Sequence, residues 1–235
     1  MPAKRPFGVY VTGTDTGIGK TMAATALLQR LHEAGLSAVG MKPVASGCVR
    51  TEQGWRNDDA LRLQAASRPW PDYADVNPYA LIEATAPQLA ARAMGVRVAL
   101  PPVIEAYGRL AESADAVVVE GVGGWAAPAD DGFDQVDIVH ALRLQVVLVI
   151  GLRLGCLSHA RLSARAILAD ATPLAGWIAC AIDPCFTDRE AYLDLLRMAL
   201  PAPCLGVLPY EPAAQPQMMS RHLYLPPEWL GMADG

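Results

Sequence analysis

The stretch Gly13-Thr14-Asp15-Thr16-Gly17-Ile18-Gly19-Lys20-Thr21 follows an apolar run at 7–12 and opens an amphipathic pattern at 19–34. Strand, glycine-rich turn, Gly-Lys-Thr and helix together make the context that a phosphate-binding loop requires. The glycines let backbone N–H groups approach phosphate oxygens, and the helix N-terminus adds a dipole that favours negative charge. In such a loop Lys20 reaches the β- and γ-phosphates, and the Thr21 hydroxyl binds Mg²⁺. The loop is one residue longer than the standard spacing: counting back from Gly19, the place of the first glycine holds Thr14.

Beyond the loop the chain alternates strand and helix. Runs at 7–12, 38–43, 116–120, 146–150, 174–182 and 204–208 are almost continuously apolar, as expected of strands covered on both faces. Amphipathic patterns at 19–34, 102–114, 157–169 and 188–199 read as helices, the first closed by Gly35 as a C-cap. This order predicts one P-loop NTPase-like α/β domain over 1–235, with a mainly parallel sheet and helices on both faces. Its core spans about 7–210. The proline-rich stretch 69–102 reads as loops and a short helix, and 212–235 as a loose segment.

Composition narrows the functional classes. The 235 residues are 52% hydrophobic, with 24 acidic against 19 basic residues and a net charge of −5. That is the opposite of a disordered chain. The arginines are scattered and the pI is near 5.3, so no clustered basic face marks a nucleic-acid partner. No run approaches the roughly 20 apolar residues that span a bilayer, and the N-terminal run breaks too early for a signal peptide. Five cysteines without a C-x-x-C and four histidines without ligand spacing point away from disulfides and zinc, toward a reduced cytoplasmic setting.

Lysine is scarce. Of 19 basic residues only Lys4, Lys20 and Lys42 are lysines. An ammonium is a compact charge and a guanidinium a planar fork, so lysine kept at 20 and 42 suggests that both places need the compact group. Lys42 ends the second apolar run in Met41-Lys42-Pro43-Val44-Ala45-Ser46-Gly47, where doubly wound sheets bind ligands. A snorkelling lysine would have the same local sequence. Glu120 ends the run Val117-Val118-Val119 and precedes Gly121-Val122-Gly123-Gly124, the place for a metal-binding carboxylate in phosphoryl transfer. Arg56-Asn57-Asp58-Asp59-Ala60 reads equally as a helix start capped by Asn57 or as a second Mg²⁺ carboxylate.

Taken together, GTDTGIGKT, KPVASG, RNDDA, VNPY, VEGVGGW, LGC-x-SHA and AGWIA resemble the dethiobiotin synthetase family over about 7–210. The resemblance implies a homodimeric P-loop enzyme, with its active site at the interface. It would close the ureido ring of dethiobiotin from 7,8-diaminopelargonate, CO₂ and ATP with Mg²⁺. It further implies roles by position. Lys42 would act on a carbamate and Lys20 on the transferring phosphoryl, while Thr16 and Ser46 hydrogen-bond the diamine or carbamate. Thr21, Asp59 and Glu120 would surround Mg²⁺. The nucleotide would lie against Gly17, Ile18, Gly19, Met22, Gly121, Val122, Gly123, Cys180, Pro209 and Tyr210. The start of a helix at Gly155, Cys156, Leu157 and Ser158 would receive the substrate carboxylate across the dimer interface, near Tyr192.

Two positions depart from the family pattern. Cys180 stands where an asparagine amide usually reads adenine, and a thiol is a weak partner. Ser158 stands where asparagine is common. Two other readings compete: another P-loop ATP-dependent C–N ligase, and an ATPase switch of the ParA/MinD type. The switch would carry a signature lysine where this chain has Asp15.

Overall fold

The computed structural model describes residues 7–230. The apolar runs become strands β1 (Phe7–Gly13), β2 (Ala38–Met41), β3 (Ala116–Glu120), β4 (Gln145–Leu152), β5 (Leu174–Ala181) and β6 (Cys204–Leu208). They form one six-stranded sheet in the order β6-β5-β4-β1-β3-β2, and every neighbouring pair is parallel. Antiparallel pairing among the described residues is limited to small ribbons outside this sheet, such as Val49–Thr51 with Gly54–Arg56, and to single bridges on its two edges, Ala38 with Arg68 and Gly206 with Leu223.

Continuous hydrophobicity in the strands has a direct cause: both faces are covered. On one face Val9, Val11, Val118, Val147 and Val149 pack against Ala23, Leu27 and Leu31 of α1 (Lys20–Glu33) and Leu63 of α2 (Asp58–Ala66). On the other face Tyr10, Val117, Val119, Leu148 and Ile150 meet α3 (Leu100–Ser113), α4 (Gln135–Leu142), α5 (Cys156–Ala169) and α6 (Arg189–Ala199) through Val103, Ile138, Ala160 and Leu196. At the end of α1, Gly35 takes φ +85°, with its N–H on His32 O and the Leu36 N–H on Leu31 O. These are the two bonds of a Schellman cap, as the glycine predicts.

One expectation is corrected. The segment from Pro212 to Leu230 is not loose. Met219, Leu223, Leu225 and Trp229 are buried against α1 and the adjoining sheet face. Trp229 stacks on Phe7 at 4.7 Å, Arg30 Nε donates to Leu223 O and Ser220 Oγ to a Glu33 carboxylate oxygen. The remaining residues of that expectation, 231–235, lie outside the described ones.

The strand order places the site. The chain leaves β1 toward β2, returns through β3 beside β1, and then continues on the opposite side through β4. The order therefore reverses at β1, and ligands of open α/β sheets bind beyond the carboxyl ends of strands at such a point. The phosphate-binding loop sits there.

Candidate active site

Backbone geometry explains the loop's glycines. Gly17 and Gly19 have φ of +72° and +94°, in the left-handed region that favours glycine. A Cβ on Gly19 would press on the Cys180 sulfur at 3.0 Å. The loop is tied down by Thr14 N–H on Val149 O and by Lys20 Nζ, which donates to Asp15 O at 2.7 Å. The Asp15 carboxylate accepts from Thr16 N–H (2.7 Å) and from Arg153 Nη2 (2.6 Å). These bonds, the Thr16 amide first, hold its carboxyl below the usual carboxylate range.

Facing the loop is a buried charge cluster. Lys42 Nζ donates to Glu120 Oε1 (2.6 Å), Gly121 O (3.0 Å) and Asp59 Oδ2 (3.1 Å). Its backbone is fixed too: Lys42 N–H donates to Val76 O, and Asn77 Nδ2 donates to Lys42 O, each at 2.7 Å. Burial alone would depress the Lys42 ammonium, but Glu120 and Asp59 outweigh it and hold its pKa above the ordinary lysine value. At Lys20 the pull of Glu120, Asp59 and Asp15 is too weak to compensate. Burial, and then repulsion from Lys42, push it down to about 8. For the acids, burial raises both, and it prevails at Glu120. At Asp59 the charge of Lys42 and the hydrogen bonds from Thr21 and Lys42 win, and the carboxyl lies below its usual range.

Thr21 Oγ1 lies 2.7 Å from Asp59 Oδ1 and 2.9 Å from Glu120 Oε1, so one hydroxyl proton faces two carboxylates. Glu120 Oε2 is buried and has no hydrogen-bond partner. An orphaned buried carboxylate oxygen beside a second carboxylate and a hydroxyl is a hard-oxygen set that suits Mg²⁺. Two carboxylates are what the site offers; among the described residues no group of three His, Cys, Asp or Glu gathers as a metal site.

The cleft that contains these groups has a volume of ≈ 860 Å³. Thr16, Lys20, Thr21, Lys42, Ser46 and Glu120 are among its lining residues, and Ala84–Pro87 and Val122–Gly123 form further wall. A second pocket of ≈ 260 Å³ shares Gly17, Gly19 and Met22 with it and adds Cys180, Pro209 and Tyr210.

Similar proteins identify the family. A family model described as an AAA domain matches residues 8–218. An ATP-dependent dethiobiotin synthetase BioD from Xanthomonas oryzae pv. oryzae is 55% identical over 222 residues, 94% of this chain and 99% of the relative. The protein of the same name from Xanthomonas campestris pv. campestris is 57% identical over 217 residues, 92% and 97% of the two chains. That from Xylella fastidiosa is 55% identical over 216 residues, 92% and 96%. The chain belongs to the ATP-dependent dethiobiotin synthetase family.

Solved structures add the fold. The signal recognition particle receptor FtsY from Elizabethkingia anophelis, in complex with GDP, aligns with a TM-score of 0.52 at 16% identity, over 99% of this chain and 65% of that one. The 54 kDa signal recognition particle protein from Aeropyrum pernix K1, also with GDP, gives 0.52 at 18% identity, over 99% and 48%. The synthetase chain spans less than two thirds of either, and at these identities the likeness is one of fold.

Within the synthetase chain most of the anticipated residues converge. Thr16, Gly17, Gly19, Lys20, Thr21, Met22, Lys42, Ser46, Asp59, Glu120, Val122 and Gly123 line the main cleft, and the Gly121 carbonyl holds Lys42. The Ile18 side chain turns into the core. The RNDDA stretch does begin a helix, and it also turns one acid toward the cleft. Asn57 Oδ1 caps Ala60 N–H at 3.2 Å, Asp58 pairs outside with Arg62 at 2.8 Å, and Asp59 turns inward. Gly155, Cys156, Leu157, Ser158 and Tyr192 do not line the cleft of a single chain. Gly155 caps α5 with φ +93°, Ser158 is exposed, and Tyr192 packs edge-on against Phe186 at 4.8 Å. The Cys156 N–H is already bonded to Arg153 O, which leaves fewer free donors at that helix start.

Two contributors escaped the sequence reading. Arg153, the residue just after β4, braces Asp15 of the loop. Gln135, at the start of α4, bonds to the segment after Glu120.

Proposed function

We propose that this chain is an ATP-dependent dethiobiotin synthase, forming dethiobiotin, ADP and phosphate from 7,8-diaminopelargonate, CO₂ and ATP. The observation that carries the reading is the buried pair of lysines at the end of β1 and β2, one on the phosphate-binding loop and one facing it. The relatives' shared name supplies ATP and the product. One amine of the diamine adds to CO₂ and loses a proton, giving a carbamate. A carbamate oxygen attacks the γ-phosphorus of ATP and ADP leaves, giving a mixed anhydride. The second amine then attacks the carbamoyl carbon, phosphate departs, and the ureido ring closes with loss of a proton.

Each charged oxygen in that sequence needs a cation at the place where charge grows. Lys20 is assigned to the transferring phosphoryl and Lys42 to the carbamate. Thr16 and Ser46 orient the diamine, and loss of geometry at such groups is costly in rate. Thr21, Asp59 and Glu120 would hold Mg²⁺, which when bound supplies charge neutralisation at the phosphates. The base lies in the pocket with Cys180, Pro209 and Tyr210. Burial pushes the Cys180 thiol up to about 12, so it meets the base neutral and as a weak donor.

A homodimer would bring the start of α5 and Tyr192 to the substrate carboxylate. Leu154, Leu162, Leu195 and Met198 are all exposed on or next to α5 and α6, which supports a covered apolar face. All five cysteines are free thiols, in keeping with a reduced cytoplasmic compartment. Among the described residues no helix is long and apolar enough to cross a membrane. Asp15 is engaged by Arg153, which leaves no place for the signature lysine of an ATPase switch.

Incubation with 7,8-diaminopelargonate, bicarbonate and Mg-ATP tests the proposal. ADP and dethiobiotin should appear in step, one of each per ring closed. ADP release that does not depend on the diamine would overturn it.

A further inference from the structure

Lys42 is held on one side by carboxylates and on another by a backbone carbonyl, that of Gly121, at 3.0 Å. That carbonyl belongs to the Gly121–Val122 peptide, whose other pole is the Val122 N–H. The N–H donates to the side-chain oxygen of Gln135 at 3.0 Å. The same oxygen accepts from the Tyr10 hydroxyl at 2.8 Å. The amide nitrogen of Gln135 donates to Gly124 O (2.7 Å), Ala127 O (3.2 Å) and Trp125 O (3.4 Å). A single buried side chain, 1% exposed, thus clamps both ends of the turn that follows Glu120.

We infer that Gln135 is a positioning residue for Lys42, because it fixes the peptide plane whose carbonyl holds the lysine ammonium. The inference rests on the role proposed for Lys42.

Four physical points support it. A peptide that carries a bond at each pole cannot rotate without breaking both. Bonds arranged head to tail, from the Lys42 ammonium through the Gly121–Val122 peptide and the Gln135 amide to Gly124 O, also polarise one another. Burial, and then the nearby Glu120 charge, raise the Tyr10 phenol far above its usual range, so its hydroxyl stays a donor. The backbone has been left open for this contact: a Cβ on Gly121 would overlap the Gln135 side-chain oxygen and stand 2.6 Å from the Tyr10 hydroxyl. Without Gln135 the Val122 N–H loses its acceptor, and the peptide is free to turn its carbonyl away from Lys42.

The test uses the full chain, with ADP release and dethiobiotin formation as the assay. Gln135→Met keeps the length of the side chain and removes the amide. It should lower kcat by about tenfold or more, with a clearly smaller change in KM for ATP, since Gln135 makes no bond to the phosphate-binding loop itself. Tyr10→Phe removes one bond to Gln135 but keeps the one from Val122, and its kcat should stay within about twofold of wild type. A glutamine that merely packed the core would lower Tm and the yield of folded protein, with kcat per folded chain unchanged. If Gln135→Met does not fold, Gln135→Asn takes its place: the group remains polar but is one methylene too short for Val122, and the same kcat loss is expected. A folded variant of either kind with wild-type kcat overturns the inference. A wild-type chain without diamine-dependent turnover overturns the proposed function instead.

Discussion

A lysine ammonium has three protons, and at Lys42 three acceptors receive them: Glu120 Oε1, Gly121 O and Asp59 Oδ2. The side chain is almost wholly buried, so its position is fixed by geometry and not by solvent. A guanidinium is planar, bulkier and cannot point three donors at three corners of a tetrahedron. Lys42→Arg should therefore lose about 100-fold or more in kcat. Near-wild-type ADP release from that variant would refute the role assigned to Lys42. The two lysines were legible in the sequence because the chain otherwise uses arginine. Asp59 was legible only as an ambiguity, since a capped helix start and a metal carboxylate share the same residue types. Gln135 was not legible at all. It acts through the Val122 N–H, 13 residues earlier across an irregular turn, and no repeating spacing encodes that.

Helices with an amphipathic period and strands with a continuous apolar run were readable, and segments with neither were not. The four helices expected over 19–34, 102–114, 157–169 and 188–199 differ from α1, α3, α5 and α6 by two residues or fewer at either end. The C-terminal segment was misread for the same reason. Its anchors Met219, Leu223, Leu225 and Trp229 follow neither a 3.6 nor a 2.0 repeat, because short 3₁₀ turns link them. They are nonetheless part of the core: Trp229 is 3% exposed and stacks on Phe7 of β1. Trp229→Ala should cost about 3 kcal/mol or more, and at roughly 2–4 °C per kcal/mol for a chain of this size Tm should fall by about 6 °C or more. A thermal melt with less than about 2 °C of change would mean that the segment contributes little to the core.

At the scale of the molecule, the single sheet explains why the phosphate-binding loop and Lys42 meet. β3 inserts between β1 and β2, so the ends of all three strands open on one cleft. Alternation of strand and helix was enough to predict that layering, because parallel strands need crossovers. The sequence holds no comparable signal for what completes the cleft, and the start of α5 with Tyr192 lies outside its lining in one chain. If a second copy brings them, each site in the dimer contains residues of both chains, and two different inactive variants should complement one another. Lys42→Arg disables the cleft of its own chain. Ser158→Glu places a carboxylate at the start of α5, where it opposes an incoming substrate carboxylate while remaining favourable to the helix dipole. Random exchange between equal amounts of the two makes about half of the dimers mixed, and each mixed dimer has one intact site and one doubly altered site. The mixture should then regain about a quarter of wild-type turnover. Sites complete within one chain would give no more than the mean of the two variants, and that result would exclude the shared site.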